Sequence, residues 1–276
     1  MQRLSDIVRN RFKETLAAGR VACTLSIRLP WGVEIVHAAE SCGFDAIYID
    51  LQHSPLSLET ASQMSIAALA LGVTPIVRVP NHSPETISRV LDGGALGVLA
   101  PHVETPEQAQ AIVSAAKFAP LGERSTGGGL PQLRYRHWPQ EDVVKVMNDA
   151  TVVLVQIESP AAVERAGQIA AVPGVDGFMV GANDLCAGYG IPGQHGHELI
   201  RAAYARVIAA ANQVGKWVGV GGISDRKLIA EYVQLGARIV ATGTDVSMLM
   251  EVGTERAKFV ASLNDASHPA SALSRS

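Results

Sequence analysis

The chain predicts an α/β fold, a closed (β/α)8 TIM barrel, from three observations. Eight short apolar runs recur along it, an amphipathic segment of helical spacing follows each, and helix-start signals mark the joints. The length of 276 residues suits one such domain, which typically takes about 250 residues. We expect residues 1–264 to form a single barrel domain and the Ser/Ala-rich residues 265–276 to be a disordered tail. An open doubly wound sheet is the alternative that the same alternation allows.

The elements follow in order. Met1–Ala18 reads as an N-terminal helix placed to plug the barrel floor. Strands are expected at Val21–Ile27, Ala46–Asp50, Thr74–Val79, Leu96–Pro101, Thr151–Ile157, Gly177–Gly181, Trp217–Gly221 and Arg238–Thr242. They are almost continuously apolar, as parallel strands covered on both faces must be. Helices are expected at Gly32–Ser41, Leu58–Leu71, Pro84–Asp92, Pro106–Lys117, Pro160–Ala171, Leu199–Val214, Asp225–Gly236 and Val246–Leu263. Ser83-Pro84, Thr105-Pro106 and Ser159-Pro160 each set a capping hydroxyl before a proline at the first helical position. Gly43, Gly94, Gly174 and Gly236 close helices shortly before the next strand. Gly122–Asp149 is a long insertion before the fifth strand, with Gly127-Gly128-Gly129 and a short helix inside it.

Composition narrows the function. Hydrophobic residues make up 47% and charged residues 18%, enough to bury a core. The net charge of −3 offers no basic field for nucleic acid or an anionic membrane. No run reaches the roughly 18 apolar residues that span a bilayer. Three cysteines, Cys23, Cys42 and Cys186, are too few and too odd for a disulfide framework, and Met1–Asp6 lacks a secretory core. A cytoplasmic protein acting on small molecules is the expectation.

Barrel chemistry gathers at the C-terminal ends of strands, so polar residues ending an apolar run are the candidates. Asp50 ends the second run, and His53 follows three residues later. Arg78 leaves the wall after Pro75-Ile76-Val77. Gln156 lies in the fifth run and Glu158 ends it; Gly181-Ala182-Asn183-Asp184 ends the sixth. Glu158 and Asp184 come from neighbouring strands, where two uncompensated carboxylates repel. A shared divalent cation of the Mg2+ or Mn2+ kind removes the repulsion. The alternative is that Glu158 only caps the following helix and Asp184 pairs with an arginine. Arg78 can stabilise charge growing on a ketone oxygen, or simply form an ion pair across the rim. His53 can act as a general base, oriented by Asp50. The turn at Val180–Leu185 offers backbone N–H groups to a carboxylate. No lysine (13, 117, 145, 216, 227 or 258) falls at the C-terminal end of an expected strand, which argues against imine chemistry.

At these residues the sequence resembles the HpcH/HpaI aldolase family of metal-dependent pyruvate aldolases and, more distantly, the phosphoenolpyruvate/pyruvate barrel superfamily. The matching pieces are Gly43-Phe44-Asp45, Ile49–Pro55, Ile76–Pro80, Leu91–Ala95, Val155–Glu158, Val175–Leu185 and Ala241–Asp245, spread over about residues 20–260. The resemblance implies an aldehyde-lyase that reversibly cleaves 4-hydroxy-2-oxo acids to pyruvate, or a related 2-oxo acid, and an aldehyde through an enolate. It implies Mg2+, Mn2+ or Co2+ on Glu158 and Asp184, with the 2-oxo acid chelating the metal. Arg78 would hold the keto oxygen. His53, supported by Asp50, would serve the acid/base step. Gln156 would bond a metal-associated water, and Gly181, Ala182 and Asn183 would receive the carboxylate. It also implies a homo-oligomer, a hexamer or trimer, with the C-terminal helix exchanged between subunits. Gln52 stands where the family often has Glu, Ala182-Asn183 where it often has Pro and a further residue, and Arg124–Gly129 is unusually rich in glycine. That last segment, with Trp31, is expected to wall the aldehyde site. A lyase for CoA esters of the malyl or citramalyl type, and a non-catalytic barrel binding an oxo acid, are the rival readings.

Overall fold

The computed structural model describes residues 3–266. Eight strands close into one barrel in sequence order. They are β1 (Ala22–Ile27), β2 (Ala46–Asp50), β3 (Thr74–Arg78), β4 (Gly97–Ala100), β5 (Val152–Ile157), β6 (Gly177–Gly181), β7 (Trp217–Gly221) and β8 (Ile239–Thr244). Every pairing is parallel, and the β1–β8 ladder makes the closure, with a register shift between Thr24 and Ser26. The open-sheet alternative is thereby removed.

Apolar continuity in the sequence becomes two cores. Residues on one face of the strands, such as Ile47, Ile49, Val98 and Val155, pack against the helices. Those on the other, including Tyr48, Ile76, Leu99, Leu154 and Met179, fill the barrel. The first residues form two helices rather than one: α1 (Leu4–Ile7) and α2 (Arg11–Ala17). Asn10 breaks them, because its side chain caps α2 at Lys13 N and also donates to the carbonyls of Leu96 and Ala150. Phe12 and Leu16 of α2 then complete the interior core from below.

The outer helices are α3 (Glu34–Ser41), α4 (Leu58–Leu71), α5 (Pro84–Asp92) and α6 (Pro106–Ala116), then α7 (Gln140–Ala150), α8 (Pro160–Glu164) and α9 (Ala166–Ala170). After them come α10 (Ala182–Gly188), α11 (Glu198–Gln213), α12 (Arg226–Leu235) and α13 (Asp245–Ala266). The hydroxyls of Ser83, Thr105 and Ser159 cap α5, α6 and α8 as their Ser/Thr-Pro signals require. The expected helix over Pro160–Ala171 is split at Arg165. Its buried residues Ala162, Val163, Ala166 and Ile169 keep helical spacing through the break. Of the expected tail, Asp265 and Ala266 belong to α13; residues 267–276 lie outside the described residues.

The insertion before β5 does not wall the mouth of its own barrel. It links a helix to the start of a strand, so it lies at the floor. Leu130 and Leu133 pack there with Leu4, Val8, Leu96 and Met147. Arg124 is buried, 2.6 Å from Asp92, with its guanidinium over the Phe118 ring. The charged network of Lys13, Lys117 and Asp176 is also on this side: Lys13 Nζ lies 3.1 Å from Asp176 and Lys117 Nζ 3.6 Å from it.

Candidate active site

A cavity of about 410 Å³ opens at the C-terminal ends of the strands. Arg78, His53, Gln156, Gly181, Asn183 and Asp184 all line it, together with Ala182. No lysine does.

β2 and β3 pair with Asp50 directly opposite Arg78, which sets the first constellation. Arg78 Nε donates to Asp50 Oδ1 at 2.9 Å and Nη2 to Oδ2 at 2.5 Å, a two-pronged charged pair. Asp50 is fully buried. Its Oδ1 also accepts the backbone N–H groups of Gln52 and His53, at 3.0 and 3.1 Å. Burial pushes the Asp50 carboxyl up, but Arg78 and these amides outweigh it, and the net shift is downward. Asp50 therefore grips His53 by its backbone, while the expected grip on the imidazole is absent. The ring makes no hydrogen bond among the described residues. Burial, then the positive Arg78, lower the pKa of that ring.

The second constellation lies across β5 and β6. Glu158 is nearly inaccessible, and its Oε2 accepts from Gln156 Nε2 at 2.7 Å. Its Oε1 accepts the His102 backbone N–H at 2.6 Å and lies 2.8 Å from His102 Nδ1. Burial raises the Glu158 carboxyl; His102 opposes this, and Asp184, close enough to hydrogen-bond it, adds to the rise. Gln156 Oε1 is buried without a partner. A Cβ on Gly181 would come within 2.6 Å of Glu158 Oε2 and 2.8 Å of Gln156 Nε2, so glycine is required for the approach.

These features fit a divalent cation. Two neighbouring carboxylates share a positive-charge deficit, and an orphaned amide oxygen stands beside them. Among the described residues no three or more His, Cys, Asp or Glu side chains gather to enclose a metal. The protein side therefore suits an open site completed by ligand and water oxygens, not a closed structural zinc site.

Two residues of the rim escaped the sequence reading. Arg28 directly follows β1, lines the cavity, and donates to the His53 carbonyl through Nη2 at 2.7 Å. His102 follows β4 and joins Glu158 to Gln52, whose Nε2 lies 3.2 Å from its Nε2. Both are polar residues just past an apolar run, so the rule that found Asp50 and Glu158 points to them as well. Of the residues expected to modify the site, Asn183 Oδ1 meets His195 Nε2 at 2.9 Å. Trp31 is tied by its indole N–H to Asp245 at 2.8 Å and does not line the cavity.

Comparison with known proteins agrees with the closed-barrel fold. Residues 33–251 match the profile of the HpcH/HpaI aldolase/citrate lyase family. A 4-hydroxy-4-methyl-2-oxoglutarate aldolase of Hapsidospora irregularis is 39% identical over 251 residues, covering 90% of this chain and 93% of its own. A pyruvate aldolase of Rhizobium etli is 34% identical, covering 87% and 93%. The crystal structure of an HpcH/HpaI aldolase from Desulfitobacterium hafniense superposes with a TM-score of 0.87 at 29% identity, over 91% of this chain and 97% of that one.

Proposed function

This chain belongs to the HpcH/HpaI aldolase/citrate lyase family, and on that basis we propose that its mouth cavity reversibly cleaves 4-hydroxy-2-oxo acids into pyruvate, or a related 2-oxo acid, and a carbonyl partner. The chain is thus a carbon–carbon lyase of the aldolase kind. The observation that carries the reading is that Asp184 and Arg78 line one cavity, Asp184 beside the buried Glu158 and Arg78 paired with the buried Asp50 behind the wall.

Glu158 and Asp184 would hold Mg2+, Mn2+ or Co2+, beside Gln156, whose Nε2 donates to Glu158 and whose buried Oε1 has no partner. A divalent cation there supplies Lewis-acid polarisation of the 2-oxo acid. Arg78, held rigid by Asp50, donates to the C2 oxygen and stabilises its negative charge as the pyruvate enolate forms. Gly181 permits close approach, and the turn through Ala182 and Asn183 seats the C1 carboxylate. His53, kept neutral by its surroundings, takes the C4 hydroxyl proton, directly or through a water. The C3–C4 bond then breaks, its electron pair passing to the enolate, and protonation at C3 releases pyruvate. Residues 1–264 act as one domain in this reading. The apolar side chains exposed along α13 support an assembly of several copies.

The test is hydrogen exchange at the pyruvate methyl group in D2O, followed by NMR with Mg2+ or Mn2+ present. Exchange is expected to vanish with chelator and in Glu158→Gln. Undiminished aldol cleavage by rigorously metal-free protein would remove the reading.

A further inference from the structure

We infer that His102 is a positioning residue for the cation: it engages one oxygen of Glu158, leaves the other to the ion, and so makes the site favour Mg2+ and Mn2+ over Ca2+. The inference rests on the reading that Glu158 and Asp184 hold a divalent ion, and it assigns the choice of ion to a residue outside that pair.

The backbone sets the arrangement. His102 follows β4 in the left-handed region, at φ 53°. A residue with a side chain is uncommon there and persists only where its surroundings compel it. The result is a double hold on one atom. The His102 N–H donates to Glu158 Oε1 at 2.6 Å, and ring Nδ1 lies 2.8 Å from the same oxygen. At the far side of the ring, Nε2 meets Gln52 Nε2 at 3.2 Å. An amide nitrogen only donates, so His102 Nε2 accepts and the ring proton sits on Nδ1, against Glu158. The ring is thus held at both ends although it is largely exposed.

The two oxygens of Glu158 therefore differ. Oε1 has both His102 nitrogens upon it. Oε2 accepts from Gln156 Nε2 at 2.7 Å and turns toward β6, where a Cβ on Gly181 would lie 2.6 Å from it. Asp184 follows in the same turn. A carboxylate offers about four lone pairs in all. With Oε1 taken up by His102 and Oε2 shared with Gln156, an ion beside Asp184 is left a single lone pair, that of Oε2. Ligation through one oxygen suits Mg2+ and Mn2+, which favour octahedral order at short range. Ca2+ takes more oxygens and often binds a carboxylate through both. The ring itself stays out of the ligand set, since among the described residues no three His, Cys, Asp or Glu side chains gather for a metal.

The experiment measures Mn2+ and Ca2+ binding by calorimetry in the unmodified protein, in His102→Gly and in His102→Asn. Glycine keeps the left-handed backbone and its N–H but deletes the ring. Asparagine tolerates the same backbone and sets an amide nitrogen near the place of Nδ1. The unmodified protein should bind Mn2+ more tightly than Ca2+. In His102→Gly, Mn2+ binding should weaken about tenfold, as it does when the support of a metal ligand is lost, while Ca2+ binding does not weaken. His102→Asn should recover most of the preference. Infrared spectra give a check that leaves His102 intact. The Glu158 bands, identified by their loss in Glu158→Gln, should show the two carboxylate stretches moving apart when Mn2+ binds, as ligation through one oxygen requires. Stretches that draw together overturn the assignment. So does an unaltered preference in His102→Gly, or an equal weakening of both ions. Absence of Mn2+ binding by the unmodified protein, or binding as tight in Glu158→Gln, instead removes the cation from the two carboxylates and with it the metal of the aldolase reading.

Discussion

His53 carries its imidazole beside the Asp50–Arg78 pair, and its surroundings set its charge. Burial and the Arg78 guanidinium both disfavour the imidazolium, whereas Asp50 and Asp184 favour it less strongly, and the net shift is downward. A general base works when neutral. A lowered pKa extends the neutral form toward acid, so the acid limb of kcat/KM should fall below the ordinary histidine value of about 6.5. NMR titration of the His53 ring in metal-free protein should give a midpoint below that value. In Arg78→Met the midpoint should move upward, because a repelling charge has gone. A midpoint at or above 6.5 in the unmodified protein would contradict the electrostatics argued for this corner. At the same scale the sequence made Asp50, Arg78, Glu158 and Asp184 legible, since each is a polar residue that ends a buried strand or follows one within three residues. It did not reveal the His102–Glu158 contact. That contact depends on His102 adopting a left-handed backbone (φ 53°), which turns both its N–H and its ring toward the carboxylate. Nor did it separate Asp50's grip on a backbone amide from a grip on the ring, because both place the same two residues three apart.

The β6–α10 turn is where an element, rather than a residue, decides the site. Gly181 has φ −85° and ψ 86°, angles open to other residues, so space and not strain demands glycine here. A methyl group would meet Glu158 Oε2 at 2.6 Å and the Glu158 Cβ at 2.8 Å, both held by the β5 wall. Gly181→Ala should therefore separate Glu158 from Asp184 without unfolding the barrel. Mn2+ affinity by calorimetry should weaken about 10- to 100-fold, the range seen when the supports of metal ligands are disturbed. Unchanged affinity would place the cation away from this turn. Elements were read well where one signal governed them. The runs of β2, β6 and β7 and the capped helices α4 and α5 have the expected bounds. Reading failed where a polar side chain interrupts a periodic pattern. Asn10 prefers the carbonyls of Leu96 and Ala150 to a place inside a helix, and apolar spacing alone cannot show such a long-range partner.

At the scale of the whole molecule, the barrel explains every long element except α13. Eight apolar runs give the strand count and the β1–β8 ladder closes the barrel, yet the place of the insertion followed from something simpler, namely that a helix-to-strand link must return to the floor. α13 is different, because a stretch of 22 residues leaves the rim after Asp245 and packs little of its length on the barrel. Leu249, Met250, Val252, Phe259 and Val260 are 47–64% exposed along it. Such a run of large apolar groups is more than a lone soluble chain usually presents to water, and burial against further copies is the ordinary remedy. Because Thr244 and Ser247 bond each other across the first turn, and Asp245 ties it to the β1–α3 loop, the helix is anchored at one end and free to reach outward at the other. Native mass measurement should accordingly give a closed assembly, a trimer or hexamer, at micromolar concentration. The double change Phe259→Glu with Val260→Glu, far from the cavity, should shift the mass toward single chains while circular dichroism keeps the barrel signal. A monomer from the unmodified protein would mean that α13 finds its cover elsewhere, and the exchange of this helix between subunits would have to be abandoned.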